Sequence, residues 1–265
     1  MTKPEMIIFD YGHTLLYEPG FNALQCEEAA YPYIVENPQN LTAKQIYEEV
    51  QKLFSRFDEQ RNSGIEIHEW QFMRLIYEYL GISFGISYEE LEEIEWNAAS
   101  GGAVMPYAEQ MLDYLNESGI RTAVISNIGW SGRALTNRVN RLLPNNRFEF
   151  IMASSEYVIR KPDKMLFDTA LRKAGLLAEQ VWYCGDSIRN DVMGAHGAGM
   201  YPVLYEGDTP GDFNPYTHQN DGIEVDFDYL HIHDWREIVG GDCHGLCLSG
   251  RLCVDRRGTA RHGDD

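Results

Sequence analysis

Residues 6–14 read MIIFDYGHT, a short apolar run that ends in a carboxylate. Uninterrupted runs of this kind, rich in Ile and Phe, are typical of strands that are buried on both faces of a parallel sheet. Helical patterns, such as the one at residues 164–174, alternate with further apolar runs. These runs lie at residues 121–127, 148–153, 181–184 and 200–205. The alternation predicts an α/β fold with a doubly wound parallel, Rossmann-like sheet.

Residues 17–102 follow a helical pattern instead. Thr42 and Gln45 form a capping box that predicts the start of one helix, and Gly81 predicts the end of another. Apolar residues recur at helical spacing on one face of each predicted helix. We therefore predict that a small α-helical cap domain is inserted into the sheet domain. The predicted division is a Rossmann-like core over residues 1–16 and 103–239, a helical cap over 17–102, and a flexible tail over 240–265.

The chain is acidic, with 41 acidic and 22 basic residues among 265 and a formal net charge of −19. Proteins that bind duplexes or anionic membranes use Lys and Arg to neutralise phosphates, so this charge argues against both partners. No apolar run is long enough for a membrane span or a signal peptide, and we expect a cytoplasmic protein. Residues 15–102 hold 16 acidic and 5 basic residues, which we interpret mainly as the solvated face of cap helices.

Polar side chains end several predicted strands, where ligands of doubly wound sheets bind. A carboxylate at such a strand end can attack phosphorus and form an acyl phosphate, which suits Asp10. Lys161 would supply positive charge beside the nucleophile and the phosphate, and Ser126 would bind phosphoryl oxygens. The residues at the strand ends are Asp10, Ser126, Asn127 and Asp186.

In order and approximate spacing, four motifs resemble those of the haloacid dehalogenase superfamily of hydrolases. They are Asp10 in IIFDYGHT, Ser126 in VISN, Lys161 in RKPD, and Asp186 with Asp191 in YCGDSIRND. The resemblance covers roughly residues 5–240, and the helical insert lies where that family carries its smaller cap domain. It implies Asp10, Lys161 and Ser126 as catalytic residues and an aspartyl-phosphate intermediate. It also implies a Mg²⁺ cofactor, held by Asp10, the backbone carbonyl of Gly12 and Asp186, with Asp191 supporting the site.

Gly12 departs from the family pattern. Phosphatases of this family usually have a second Asp two residues after the nucleophile, which protonates the leaving group and later activates water. A positioned general acid or base contributes about 10²–10⁴ in rate. His13 titrates near neutrality, but adjacent side chains generally point in different directions. The departure leaves three alternatives open: a slow or specialised phosphatase, a carbon–phosphorus hydrolase that uses Lys44 or Lys52 as a Schiff base, and a catalytically silent binding protein.

We expect a phosphatase that acts on a small soluble phosphomonoester, as a monomer or homodimer. An acidic cap would slow highly charged substrates, which favours a small phosphorylated metabolite. Gly12, Ser126, Asn127, Trp130 and Lys161 are the expected phosphate or substrate contacts, Trp130 because it closely follows Asn127. Carbon–halogen cleavage is less favoured, because GDSIRND is the metal-binding form of its motif. The sequence leaves open a zinc site in the tail, formed by Cys243, His244, Cys247 and Cys253.

Overall fold

A computed structural model describes residues 3–209 and 219–239. The strands are β1 (Met6–Phe9), β2 (Leu16–Tyr17), β3 (Ile34–Glu36), β4 (Ser83–Phe84), β5 (Ala103–Val104), β6 (Arg121–Ser126), β7 (Phe148–Ala153), β8 (Val181–Gly185), β9 (Tyr201–Tyr205) and β10 (Leu230–Ile232). The main feature is a six-stranded sheet in which all neighbouring strands are parallel, in the order β10-β9-β8-β1-β6-β7. The predicted α/β fold with a doubly wound sheet is thus confirmed.

Helices cover both faces of this sheet, and β1 at its centre is therefore buried on both sides. Ile7 and Phe9 pack into one apolar cluster with the helices at residues 108–117 and 132–142, whereas Met6 and Ile8 pack into another with the helices at residues 164–174 and 193–198. This alternation follows from the period of two along a strand. The helices are α1 (Leu24–Ala30), α2 (Ala43–Phe54), α3 (Asp58–Asn62), α4 (Glu69–Leu80), α5 (Tyr88–Ala99), α6 (Ala108–Glu117), α7 (Gly132–Leu142), α8 (Lys164–Ala174), α9 (Met193–Ala198) and α10 (Arg236–Val239).

Residues 18–102, which we call the insert, lie between β2 and β5, and these two strands pair antiparallel at its base. Helices α1 to α5 belong to the insert, and α2, α4 and α5 pack around a separate apolar cluster. The capping box at Thr42 and Gln45 is formed, and Gly81 ends α4 in the left-handed conformation, with φ of 72°. The predicted start of α2 and end of α4 are therefore confirmed.

The predicted solvent exposure of the insert's acidic residues is wrong for four side chains. Glu27, Glu66, Glu92 and Glu95 are only 0–5% exposed. Each takes part in hydrogen bonds inside the protein, which compensates for the loss of water. Helical periodicity marks these positions as polar but does not reveal which polar faces meet another part of the fold.

Two of these carboxylates join the insert to the sheet domain. Glu92 accepts hydrogen bonds from the backbone N–H and the hydroxyl of Ser131 (2.5 and 2.6 Å), at the N-terminus of α7. Glu66 accepts one from Ser154 (2.7 Å) and pairs with Arg160 (3.0 Å). A negative charge at a helix N-terminus is favourable, so Glu92 contributes to both the helix and the contact.

In residues 3–209 and 219–239, no helix is long and apolar enough to cross a membrane. The predicted tail over 240–265, with Cys243, His244, Cys247 and Cys253, lies outside the described residues.

Candidate active site

The candidate site lies at the carboxyl ends of three adjacent strands. Asp10 directly follows β1, Ser126 ends β6, and Asp186 directly follows β8. In the parallel register, Phe9 lies opposite both Val124 and Cys184, so the three strands end at the same edge of the sheet. The topology therefore brings these side chains together from distant parts of the sequence.

Lys161 lies at the centre of the site. Its buried ammonium group donates hydrogen bonds to Asp10 (2.7 Å), Asp191 (2.6 Å) and the phenol oxygen of Tyr183 (2.8 Å). The Tyr183 hydroxyl in turn donates to the carbonyl of Ile125 (3.0 Å). Burial by itself would lower the pKa of Lys161, but Asp10 and Asp191 outweigh it and raise that pKa. The ammonium group therefore stays charged.

A wide, π-type helical turn, Ile188–Val192, places Asp191 in this site. Its carboxylate accepts a hydrogen bond from the backbone N–H of Ser187 (3.0 Å) and lies directly over Gly185. A Cβ atom at Gly185 would overlap the Asp191 side chain, so the close approach requires glycine. Such turns within helices often occur at functional sites.

The carboxylates of Asp10, Asp186 and Asp191 can each offer an oxygen within 4.8 Å of the others. Burial raises the pKa of Asp10 to about 6, with Lys161 opposing and Asp191 adding to the effect. Burial and the charges of Asp10 and Asp191 also raise the pKa of Asp186 well above its usual value. One ammonium group thus faces three carboxylates, and a divalent cation would relieve their repulsion. An all-oxygen donor set fits a hard cation such as Mg²⁺.

Asn127 and Trp130 make contacts with the protein itself. The Asn127 side chain accepts a hydrogen bond from the Lys161 backbone N–H (2.7 Å) and donates one to the Lys161 carbonyl (3.0 Å). These two hydrogen bonds fix the position of the segment that carries Lys161. The ring of Trp130 stacks on Trp96 of the insert, with centroids 5.3 Å apart. Ser126 is buried at the end of β6. Substrate contacts by these three residues remain predictions.

The space beside Gly12 is open. Among residues 3–209 and 219–239, and apart from its chain neighbours, a Cβ atom built on Gly12 would have no heavy atom within 4 Å, so these residues leave room for a side chain there. The neighbouring His13 points its Nδ1 atom toward the hydroxyl of Thr209, at 3.5 Å. Burial lowers the pKa of His13, which favours the neutral ring. A neutral imidazole is a weak proton donor, so this environment does not favour His13 as the missing acid.

The insert lysines that a Schiff-base mechanism would need are exposed. Lys44 and Lys52 both lie on the solvent-facing side of α2, and Lys52 pairs with Glu49 (2.6 Å). Both positions fit an ordinary amphipathic helix. The structure therefore gives no support to the carbon–phosphorus alternative.

Sequence reasoning missed three residues of this site. Tyr183 contacts Lys161 from within β8, and a tyrosine in an otherwise apolar strand is a signal that its hydroxyl has a partner. Gln219 donates to the Asp186 carboxylate (2.7 Å), and Asn220 donates to the Asp186 carbonyl (2.8 Å). No sequence pattern distinguishes these two amides within an acidic loop.

Comparison of the sequence with curated proteins finds several relatives of this chain. A "Haloacid dehalogenase-like hydrolase domain-containing protein 3" from Xenopus laevis is 29% identical over 116 residues, 44% of this chain and 46% of that protein. A "Glyceraldehyde 3-phosphate phosphatase" from Methanothermobacter thermautotrophicus is 23% identical over 227 residues, 83% of this chain and 92% of that protein. The chain matches only about half the length of the first curated relatives, between 42% and 56%.

A solved structure supports the fold, and a family model identifies the family. The structure of a HAD phosphatase from Thermococcus onnurineus aligns with a TM-score of 0.57 at 18% identity, and the alignment covers 90% of this chain and 96% of that one. At this identity the likeness concerns the fold alone. The model described as "Haloacid dehalogenase-like hydrolase" matches residues 41–204, more than half of the chain. This chain therefore belongs to the haloacid dehalogenase-like hydrolase family.

Proposed function

We propose that this hydrolase is a divalent-metal-dependent phosphatase that acts on a small phosphomonoester through an aspartyl-phosphate intermediate. The observation that carries the proposal is the cluster at the strand ends. There the buried Lys161 ammonium group bridges Asp10 and Asp191, and Asp186 completes an all-oxygen donor set. Purely structural roles explain such a concentration of buried charge poorly, because each buried ion costs several kcal/mol.

In the first step, a carboxylate oxygen of Asp10 attacks the phosphorus of the substrate. A bond forms between this oxygen and phosphorus, and the bond from phosphorus to the ester oxygen breaks. Lys161 lies 2.7 Å from the Asp10 carboxylate and neutralises negative charge as it moves onto the phosphoryl oxygens. Ser126, at the end of the neighbouring strand, would hold one of those oxygens.

In the second step, a water oxygen bonds to the phosphorus of the aspartyl phosphate, and the bond from phosphorus to the Asp10 oxygen breaks. This releases phosphate, returns the water proton to solvent and regenerates the Asp10 carboxylate. Asp10, Asp186 and the backbone carbonyl of Gly12 would hold Mg²⁺, with Asp191 in support, and the ion would supply charge neutralisation for the phosphoryl group. No side chain at residue 12 can protonate the leaving group. The reaction should therefore be fastest with esters whose alcohol needs little protonation.

The insert fits the role of a cap over this site. Glu69 N–H donates to the carbonyl of Gly129 (2.8 Å), in the loop that follows Ser126 at the site's edge of the sheet. Closure of such an element excludes water and limits the size of the substrate. Curated relatives named as glyceraldehyde 3-phosphate phosphatases agree with a small phosphorylated substrate.

Hydrolysis of an aryl phosphate tests the proposal, because its good leaving group reduces the need for a general acid. We expect turnover that depends on Mg²⁺, stops with EDTA and is lost in Asp10→Asn. Asp168→Asn serves as the matched control, since Asp168 is an exposed carboxylate paired with Lys164 on α8. That variant should retain full activity. If no phosphate in a broad panel is hydrolysed in a manner that needs both Mg²⁺ and Asp10, the proposal is wrong.

A further inference from the structure

A second group of potential metal ligands lies on the edge strands of the sheet. Glu206 follows β9, and His231 and His233 lie on and just beyond β10. The two strands are parallel, and the Glu206 N–H donates to the carbonyl of Ile232 (2.9 Å), which fixes their relative position. His233 lies in the bend that follows β10. The imidazole of His231 contacts the Glu206 carboxylate, and that of His233 contacts the Glu206 carbonyl.

The distances within this group suit a metal ion. The Nε2 atom of His231 lies 2.7 Å from the Oε2 atom of Glu206, and the two imidazole centroids are 4.3 Å apart. One ligand atom from each of Glu206, His231 and His233 lies within 4.8 Å of the others. A single ion can thus contact all three residues after small side-chain rotations.

The hydrogen bonds around His233 leave a lone pair free for a metal. Its Nδ1 atom is 3.2 Å from the backbone carbonyl of Glu206, which can only accept a hydrogen bond. Nδ1 therefore carries the proton, and the Nε2 atom of the neutral ring has the lone pair. Metal-ligating histidines commonly donate their other N–H to a backbone carbonyl in this way.

The Glu206 carboxylate is held by an outer partner as well. Its Oε1 atom accepts a hydrogen bond from Asn220 (2.7 Å), while Oε2 faces His231. One carboxylate oxygen of Glu206 is thus held by Asn220, and the other is directed toward His231. Asn220 also donates to the carbonyl of Asp186 (2.8 Å), so one amide contacts both this group and the candidate active site.

A surface ion pair alone is a poor explanation for this arrangement. Such pairs contribute about 0–1 kcal/mol, and one histidine suffices to make one.

We propose that Glu206, His231 and His233 form a second metal site, one that binds a borderline transition-metal ion such as Zn²⁺. Two imidazoles and a carboxylate are a common zinc ligand set, and three protein ligands leave a coordination position for water. The all-oxygen set around Asp10 prefers a harder ion. The molecule would therefore carry two metal sites of different chemical class. This inference does not depend on the proposed phosphatase activity.

The test is a calorimetric titration of the metal-free full chain with Zn²⁺, in excess Mg²⁺ so that the acidic site near Asp10 is filled. Cysteine and histidine are zinc-ligand types, so the background protein carries Cys243→Ser, His244→Ala, Cys247→Ser and Cys253→Ser to remove competition from the segment after residue 239. We expect one equivalent of bound Zn²⁺. This binding should be absent in the double variant His231→Ala/His233→Ala. Zn²⁺ should bind at least about tenfold more weakly to Glu206→Gln.

His196→Ala is the matched control, because His196 is also an exposed histidine but stacks on Phe227. It should bind Zn²⁺ as the background protein does. A background protein that binds no Zn²⁺, or a double variant that binds it unchanged, would overturn the proposal.

A second measurement needs no variant that could misfold. In nitrogen-15 NMR spectra of the histidine side chains, Zn²⁺ should shift the ring nitrogens of His231 and His233 and leave those of His13 and His196 in place. Shifts confined to other histidines would also refute the site.

Discussion

Two buried groups of carboxylates in this molecule are neutralised in different ways. In the sheet domain, the Lys161 ammonium group lies within 2.7 Å of both Asp10 and Asp191. In the insert, Glu27 and Glu95 flank the hydroxyl of Tyr77 at 3.1 and 2.9 Å. Neither glutamate forms a salt bridge within residues 3–209 and 219–239. The first group has a cation as its partner, whereas the second has only a phenol.

A phenol has one proton, so Tyr77 can donate to only one of the two glutamates. The other must be protonated and donate to the phenol oxygen. Burial raises the pKa of Glu27 to about 7, and burial together with Glu27 raises the pKa of Glu95 well above its usual value. Protons therefore neutralise the insert group near neutral pH. The lysine lets the other group remain ionised, as a nucleophile and metal ligands must be.

The largest expected effect comes from removing the cation. Lys161→Met leaves Asp10 and Asp191 buried without their partner, and breaking such a pair costs about 3–5 kcal/mol. Urea unfolding at alkaline pH should show this loss, and aryl phosphate hydrolysis should fall below detection. Lys164→Met is the control, because Lys164 forms an exposed pair with Asp168 and should change stability by less than about 1 kcal/mol. Unchanged stability of Lys161→Met would mean that the two groups are neutralised alike.

The second prediction concerns the pH dependence of the insert. The pKa of Glu27 rises from 4.5 to about 7 on folding. The stability that its bound proton provides is therefore complete below 4.5 and is lost as the pH rises through about 7. At about 1.4 kcal/mol per pH unit, we expect the free energy of unfolding to fall by about 3 kcal/mol through this carboxyl between roughly pH 5 and pH 8.

Glu27→Gln should remove this part of the pH dependence, because the amide is neutral throughout. The measurement is urea unfolding of the full chain across that pH range. Its neighbour Glu28 is exposed on the same helix, so Glu28→Gln should follow the wild-type profile. Parallel profiles for wild type and Glu27→Gln would show that Glu27 is ionised in the folded protein.

The same comparison shows how far sequence alone can go. Apolar runs predicted five of the six strands of the main sheet, and the bounds of α8 match the predicted helix at residues 164–174. The edge strand β10 was not predicted, because its three residues carry no apolar run. The two- and three-residue strands β2 to β5 and the short helices α1, α3, α9 and α10 were not predicted either. Local patterns report how a segment relates to its own neighbours in the chain, and they are therefore strongest for single helices and buried strands.

Sequence patterns identified the charged residues of the sheet-domain group but not the buried glutamates of the insert group. Strand-end positions and family motifs singled out Asp10, Lys161, Asp186 and Asp191, and the fold brings them together. The buried state of Glu27 and Glu95 depends on contacts between helices α1, α4 and α5, which no local pattern encodes. In sequence, these glutamates look the same as the exposed ones beside them.

The third prediction adds a carboxylate to the ionised group. Gly12→Asp should raise alkyl phosphate hydrolysis at least about tenfold, because it supplies the general acid that the chain lacks. The described residues leave open space for this side chain, so we expect no steric cost. Gly12→Asn controls for size without acidity and should leave the rate unchanged. Equal rates for Gly12→Asp and wild type would show that another group supplies the proton.

The smallest expected effect comes from removing the shared phenol. Tyr77→Phe should cost about 1 kcal/mol, the net value of a typical hydrogen bond. The hydrogen bonds of Tyr77 lower the pKa of both Glu27 and Glu95, so the variant should raise both pKa values. Its stability should therefore continue to fall to higher pH than that of wild type. Urea unfolding above neutral pH measures the difference.

Tyr79 is the matched residue for this test, because it lies on the same helix with 78% of its surface exposed. Tyr79→Phe should leave both the stability and its pH profile unchanged. If Tyr77→Phe shifts stability equally at every pH, then the phenol does not share a proton with the two glutamates. The insert group would then need some other source of neutralisation, and the proposed difference between it and the lysine-bridged group would be wrong.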